Sequence, residues 1–203
     1  MKEEKYNIEQ GEEKAWRELR EADPELVSRN SLAAYDSKAG TYTLTVLGEK
    51  YAIDPGGMAI VNLTNPARAP EYLLKLSIPV YLVQARDIPP SGELVKDLPG
   101  GGFFFRGSHA LPLDAIAEKF GRDSGSFERA GRSTLGGTPA GMGDAAVAFN
   151  VFPRVSMALV LWLSDEEFPA RATLLFDSNA GRHMALDVVW AVSLVACQRM
   201  LKY

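Results

Sequence analysis

The sequence predicts an α+β fold: a mostly antiparallel sheet with packed helices in a single layered domain. Three observations carry that prediction. Strand-like runs fall into two groups, 41–53 and 145–176, and segments with helical periodicity lie between and outside them. Within each group the strands are joined by tight turns, so the chain lacks the alternation of a regular βαβ winding. With 203 residues, 46% hydrophobic and 24% charged, the chain can bury a substantial core as one domain, 1–203.

In residues 7–35, Ile8, Trp16, Leu19, Leu26 and Val27 recur at helical spacing among charged residues. Asp23-Pro24 reads as the N-cap and first residue of a second helix. This N-terminal segment, 1–35, is expected to pack on the core through Trp16 and Leu19. Residues 41–47 alternate polar and apolar, Gly48-Glu49 turns the chain into 50–53, and Asp54-Pro-Gly-Gly closes the hairpin. Residues 70–86 read as a buried helix with Pro70 in its first turn and a kink at Pro79. The stretch that follows is dense in turn formers, a surface connection with a short extended piece at 93–96.

In Pro99-Gly-Gly-Gly-Phe-Phe-Phe-Arg106, strand alternation would point Phe103 and Phe105 inward and Phe104 outward. Residues 111–120 and 124–133 are expected helices, the first stopped by Gly121, and 136–143 is a glycine-rich loop. Three strands, 145–152, 155–163 and 170–176, and a closing helix, 184–201, complete the chain.

A formal net charge of −4 and the absence of any long Lys/Arg run leave no field to attract a phosphate backbone, so nucleic acid is excluded as a partner. The longest apolar runs, 157–163 and 188–197, fall short of the roughly 20 residues that span a membrane. The charged N-terminal residues lack the apolar core of a signal peptide, so a cytoplasmic location is expected. One cysteine, Cys197, means that no internal disulfide and no iron–sulfur cluster can be held by this chain alone.

Gly141-Met-Gly-Asp-Ala-Ala146 fits the loose spelling of a dinucleotide-binding turn, but a strand-like run follows where a helix N-terminus must receive the pyrophosphate. Leu174-Leu-Phe-Asp177-Ser-Asn179 is spaced like the nucleophile turn of aspartate-based phosphatases. Asn179 stands where the second acid is needed, so the acid–base half of that chemistry is missing. The structural reading is that Asp177 and Ser178 turn the chain while Ser178 or Asn179 caps the following helix. Asp165, Glu166 and Glu167 sit on the turn between two strands. They stand roughly 23 Å from Asp177 across seven residues at about 3.3 Å each. His109 and His183 are the only imidazoles, and no metal-ligand spacing organises them.

Three glycines beside three aromatics allow close approach and stacking of a planar ligand. Candidate ligand- or partner-binding residues are therefore Gly100, Gly101, Gly102, Phe104, Arg106 and His109, together with Asp177, Ser178 and His183. No residue is assigned a catalytic or metal-binding role.

Three further stretches carry a resemblance: Pro89-Pro-Ser-Gly-Glu-Leu-Val-Lys-Asp-Leu-Pro-Gly-Gly, Gly143-Asp-Ala-Ala with Phe152-Pro-Arg-Val, and Trp162 through Asp165-Glu-Glu-Phe-Pro-Ala to Leu175-Phe-Asp-Ser-Asn-Ala. In that order, from about Tyr72 onward, the chain resembles the bacterial and archaeal domain-of-unknown-function family numbered 3786, found largely in anaerobes. Some members carry an additional N-terminal four-cysteine iron–sulfur domain. The resemblance implies work beside a redox or corrinoid protein of one-carbon metabolism, and this chain resembles the bare form. It implies no cofactor and no residue roles.

Two functions are expected from this sequence. The first is an accessory domain of anaerobic metabolism that binds a partner protein or small ligand across the loops at 100–102 and 136–143. The alternative is a metal-assisted hydrolase using Asp165, Glu166 or Glu167 with Asp177 and His183.

Overall fold

The computed structural model describes every residue except Met1 and Arg106, and the side chains of all described residues but 2–10, 103 and 104. It is an α+β domain with two antiparallel sheets. The first helix, α1 (Lys2–Glu21), buries Ala15, Trp16 and Leu19 against the core. The second, α2 (Pro24–Ser31), starts where Pro24 costs no hydrogen bond, with the Asp23 carboxylate accepting the N–H of Glu25 at 3.0 Å.

The first sheet is ordered β1 (Ala34–Asp36), β2 (Thr41–Val46), β3 (Glu49–Asp54) and β4 (Ala59–Asn62). Alternation in β2 and β3 buries Tyr42, Leu44, Val46, Tyr51 and Ile53 on one face. The hairpin anticipated at 41–53 is these two strands, and the edges were missed for a physical reason. β1 is exposed along its whole length, and β4 puts Ala59 and Val61 in water, so neither needs an apolar alternation.

After the helix α3 (Tyr72–Gln84) comes β5 (Leu94–Val95), the edge of the second sheet. The helix begins at Tyr72, beyond Pro70, and runs through Pro79 with Leu74, Ile78, Tyr81 and Leu82 buried. Residues 101–104 are not extended as alternation implied but form a short helix, α4 (Gly101–Phe104), entered through Gly100 at φ +79°. Three successive glycines lack the Cβ branching that holds a strand, and Gly100 supplies a left-handed entry that other residues resist. Phe105, following it, sets its ring 5.3 Å from that of Phe176.

Two helices, α5 (Leu113–Phe120) and α6 (Ser124–Leu135), then lead to β6 (Thr138–Pro139), β7 (Ala145–Phe152), β8 (Val155–Trp162) and β9 (Arg171–Asp177). The order across the second sheet is β5-β9-β8-β7-β6. The central strand, β8, is an almost unbroken apolar run because both its faces are covered. The segment expected as a plain loop at 136–143 contributes β6, too short to carry a periodic signal. Helix α5 packs on β9 and α6 on β7, and α7 (Leu186–Lys202) lies against α3, α5 and α6. Gly131 in α6 makes its approach possible, since a Cβ there would stand 2.6 Å from a Val147 methyl. One hydrophobic cluster runs through both sheets and the helices, from Trp16 to Met200.

The sheets are joined at the tip of the β2–β3 hairpin. Leu47 (φ 48°) and Gly48 (φ 76°) make its two-residue turn, both left-handed, and Leu47 is 1% exposed. A bulge in β7 between Asn150 and Phe152 takes Val151 out of its ladder, and the freed carbonyl accepts the Leu47 N–H at 3.1 Å. Beside it Gly48 meets Gly136 backbone to backbone: a Cβ on Gly48 would lie 2.7 Å from the Gly136 Cα. Gly48→Ala therefore forces strained φ and a backbone clash together, and urea denaturation is expected to show a loss of about 1–3 kcal/mol. An unchanged midpoint would refute this account of the junction.

A candidate ligand cleft beside His183

The tightly turned end of the β7–β8 hairpin organises the surroundings of the cleft. Arg154, 7% exposed, donates from Nε to the Asn30 carbonyl at 2.7 Å and from Nη2 to the Arg29 carbonyl at 2.9 Å. These are carbonyls at the end of α2, where a cation belongs both as donor and against the helix dipole. Asp87 pairs with the same guanidinium. Tyr81 stacks on Phe152 at 4.2 Å and donates a hydrogen bond from its hydroxyl to the Ser31 carbonyl at 2.9 Å. The loop after α3 is thus pinned to α2 and to β8.

Against that loop lies a cleft of about 510 Å³, lined by Val83, Gln84, Ala85 and Arg86 on one side and by 181–185 on the other. His183 belongs to its lining and is fully buried. Its Nδ1 accepts the backbone N–H of Arg86 at 3.4 Å, while its Nε2 has no hydrogen-bond partner among the described residues. Burial, reinforced by the charge of Arg154, holds the imidazole below its ordinary value. Arg182 and Arg86 push the same way, against an opposing pull from Asp177. The ring is therefore neutral at neutral pH. Arg86 and Arg182 are exposed, and among the described residues no acidic side chain lines the cleft.

Asp177 ends β9 behind this loop and is 1% exposed. Its carboxylate accepts the N–H groups of Ser91 at 3.0 Å, Gly92 at 2.9 Å and Asn179 at 3.0 Å, and the Ser91 hydroxyl at 2.9 Å. Burial pushes this carboxyl up, but the hydrogen bonds from Ser91, Asn179 and Gly92 outweigh it and hold the group below the usual carboxylate range. The expected capping by Ser178 or Asn179 does not occur. Ser178 donates its hydroxyl to Ser91 at 2.9 Å, and Asn179 donates its amide to the Pro89 carbonyl at 3.1 Å. Both are drawn to the 89–93 loop because β5 pairs with the end of β9, Leu94 opposite Asp177.

The structure thus gathers Asp177, Ser178 and His183 of the sequence candidates at one end of the second sheet. Gly100 stands against the first residue of α7, a Cβ there meeting Leu186 at 3.4 Å. Gly101 and Gly102 form the start of α4. His109 sets its ring edge-on to Trp190 at 5.0 Å. Arg106 and the Phe104 side chain lie outside the described residues. The glycine loops at 100–102 and 136–143 flank opposite edges of the sheet, one following β5 and the other containing β6.

The acidic turn is a local device. Asp165 Oδ1 accepts the N–H groups of Glu167 at 2.9 Å and Phe168 at 2.6 Å, which keep its carboxyl below the usual range. Asp177 stands at the far end of β9 from this turn. Among the described residues no three His, Cys, Asp or Glu side chains gather closely enough to hold a metal ion. Also among them, no helix is long and apolar enough to cross a membrane. Cys197 is fully buried, and burial pushes its thiol up to about 12, so it is inert.

Sequence reasoning missed Arg86, Ser91, Gly92, Arg154 and Arg182. Ser91, Gly92 and Arg154 lie in the quoted Pro-Pro-Ser-Gly and Phe-Pro-Arg-Val stretches, but their partners are dozens of residues away. No spacing rule reaches that far.

Residues 23–199 match the family described as Domain of unknown function (DUF3786). No curated protein and no solved structure matches the chain. The family match opens at the N-cap of α2 and closes at Arg199 in α7, taking in both sheets, Arg154, the Asp177 loop and every residue of the cleft. The chain belongs to the DUF3786 family.

Proposed function

We propose that the chain is a cytoplasmic, ligand-binding accessory domain of anaerobic metabolism, working beside a redox or corrinoid protein, with its ligand in the cleft beside His183. The observation that carries this reading is the ring nitrogen Nε2, buried and without a partner among the described residues, on a residue that lines an open cleft. A buried polar atom left unpaired costs about 1–3 kcal/mol, so it calls for a partner, and a bound ligand or ion is one that a cleft can supply. The metabolic setting comes from the family resemblance. Since Cys197 is the only cysteine and is inert, an iron–sulfur cluster held by thiolates would belong to the partner.

The test is a thermal-shift screen of anaerobically purified protein with corrinoids, haem, flavins, nucleotides, inorganic anions and divalent metals. At least one compound is expected to raise Tm in the wild type and to do so less in Arg182→Gln, whose side chain is exposed. If none stabilises the wild type, the ligand reading fails and protein partnership is left. A divalent ion whose effect disappears in Asp177→Asn would favour the metal-assisted hydrolase instead.

A further inference from the structure

The chemical class of the ligand follows from the tautomer of His183, on the reading that the cleft is a ligand site. Nδ1 accepts the Arg86 N–H, so in the neutral ring the single proton resides on Nε2. Nε2–H is then a buried donor with no acceptor among the described residues. What completes it must present a lone pair, which excludes a cation or a metal at that nitrogen.

The electrostatics point the same way by an independent route. The cleft carries the exposed guanidinium groups of Arg86 and Arg182, and Arg154 adds to the positive field at the ring. Two acids close to the cleft in the fold are already engaged: Asp87 with Arg154, and Asp177 with Ser91, Gly92 and Asn179. Two cations beside one stranded donor, with no acid in the lining, form a complement to negative charge on oxygen.

We propose that the cleft binds a small oxyanion, the carboxylate or phosphate group of a ligand. One oxygen accepts from Nε2–H of His183, and Arg86 and Arg182 balance the charge. No proton is transferred and no bond is made or broken.

Long-range proton–nitrogen NMR of the full ¹⁵N-labelled chain near neutral pH reads the tautomer directly, and titration with inorganic phosphate, with acetate and with chloride at matched ionic strength reads the ligand. His183 is expected as the Nε2–H tautomer, with its Nε2 and Hε2 resonances moving saturably in phosphate, acetate or both, and not in chloride. The two arms separate phosphate from carboxylate recognition. The double variant Arg86→Gln/Arg182→Gln, altered only at exposed side chains, should weaken that response by roughly tenfold or more at unchanged Tm.

An Nδ1–H tautomer overturns the proposal, as does equal movement in chloride or unchanged phosphate binding by the double variant. If neither anion moves the resonances but a neutral compound from the screen does, the oxyanion class falls and the cleft remains a ligand site. If nothing moves them, both readings fall.

Discussion

Arg199→Ala is expected to destabilise the protein by about 3–5 kcal/mol, read as a lower urea midpoint. Arg199 projects from α7 and is 5% exposed. It donates from Nε and Nη2 to both oxygens of Glu71, at 2.8 and 2.9 Å, and from Nη1 to Glu49 at 2.9 Å. Nη2 also donates to the Tyr51 hydroxyl at 3.0 Å. One guanidinium thus ties α7 to the N-cap residue of α3 and to β3, a polar contact between the first sheet and the helices. Truncating it strands two partly buried carboxylates; Glu49 keeps its ion pair with Arg68, whose charge also acts on Glu71. The cost is that of breaking the pair, so Arg199→Met/Glu71→Met, which removes both charges, should cost less than Arg199→Ala alone. Equal or additive losses would contradict this.

The pH dependence has a defined sign. Burial pushes the Glu71 carboxyl up, but hydrogen bonding and charge from Arg199 prevail and hold it below its ordinary value. A group depressed in the folded state contributes stability that is complete above its unfolded pKa of about 4.3 and is lost as pH falls through the folded value. Arg199→Ala should therefore show a shallower loss of stability in acid than the wild type.

Asp177→Ala is expected to cost about 2–4 kcal/mol, because it strands three backbone donors and one hydroxyl around a single carboxylate. Asp177→Asn keeps one acceptor but turns a donor toward other donors, so its loss should fall between wild type and alanine. Hydrogen exchange separates this from a general loosening: the amides of Ser91, Gly92 and Asn179 should exchange faster, while those of β8 follow only the global change. Asp177 is also depressed in the folded state, and its contribution is complete above about pH 3.9 and fades as pH falls through the native value. Removing it should flatten the acid limb of the stability profile. No change at those three amides would refute the pinning role.

Much of the fold is legible in the chain. Helices announced themselves where an apolar stripe met a cap, as at Asp23-Pro24, and strands where alternation was sustained, as in β2, or where a run was apolar throughout, as in β8. The failures share a cause. β1, β4, β5 and β6 are short edge strands held by hydrogen bonds to a longer neighbour, which demand little of their side chains. Only β5 left a trace in the sequence, as the extended piece at 93–96. The aromatic triplet after three glycines was read with the period of a strand, but backbone freedom at Gly100 made a helical turn.

Of the candidate site the sequence named His183, with Asp177 and Ser178 near it, but none of the arginines. Asp177 stood out at the end of a strand, and the separation of the 165–167 acids from it follows from strand length alone. His183 was visible as one of two imidazoles, with nothing to distinguish it. Its burial, its pairing with the Arg86 amide and the company of Arg154 and Arg182 join positions 97 and 29 residues apart, or neighbours whose direction is set by a turn. Composition and local periodicity are properties of neighbouring residues, so they were enough for the fold class, the principal strands and the exclusion of an internal disulfide. A cleft is made by carbonyls, amides and charges that meet only after β5 pairs with β9 and Arg154 locks the end of α2, and those distances exist only in the folded chain.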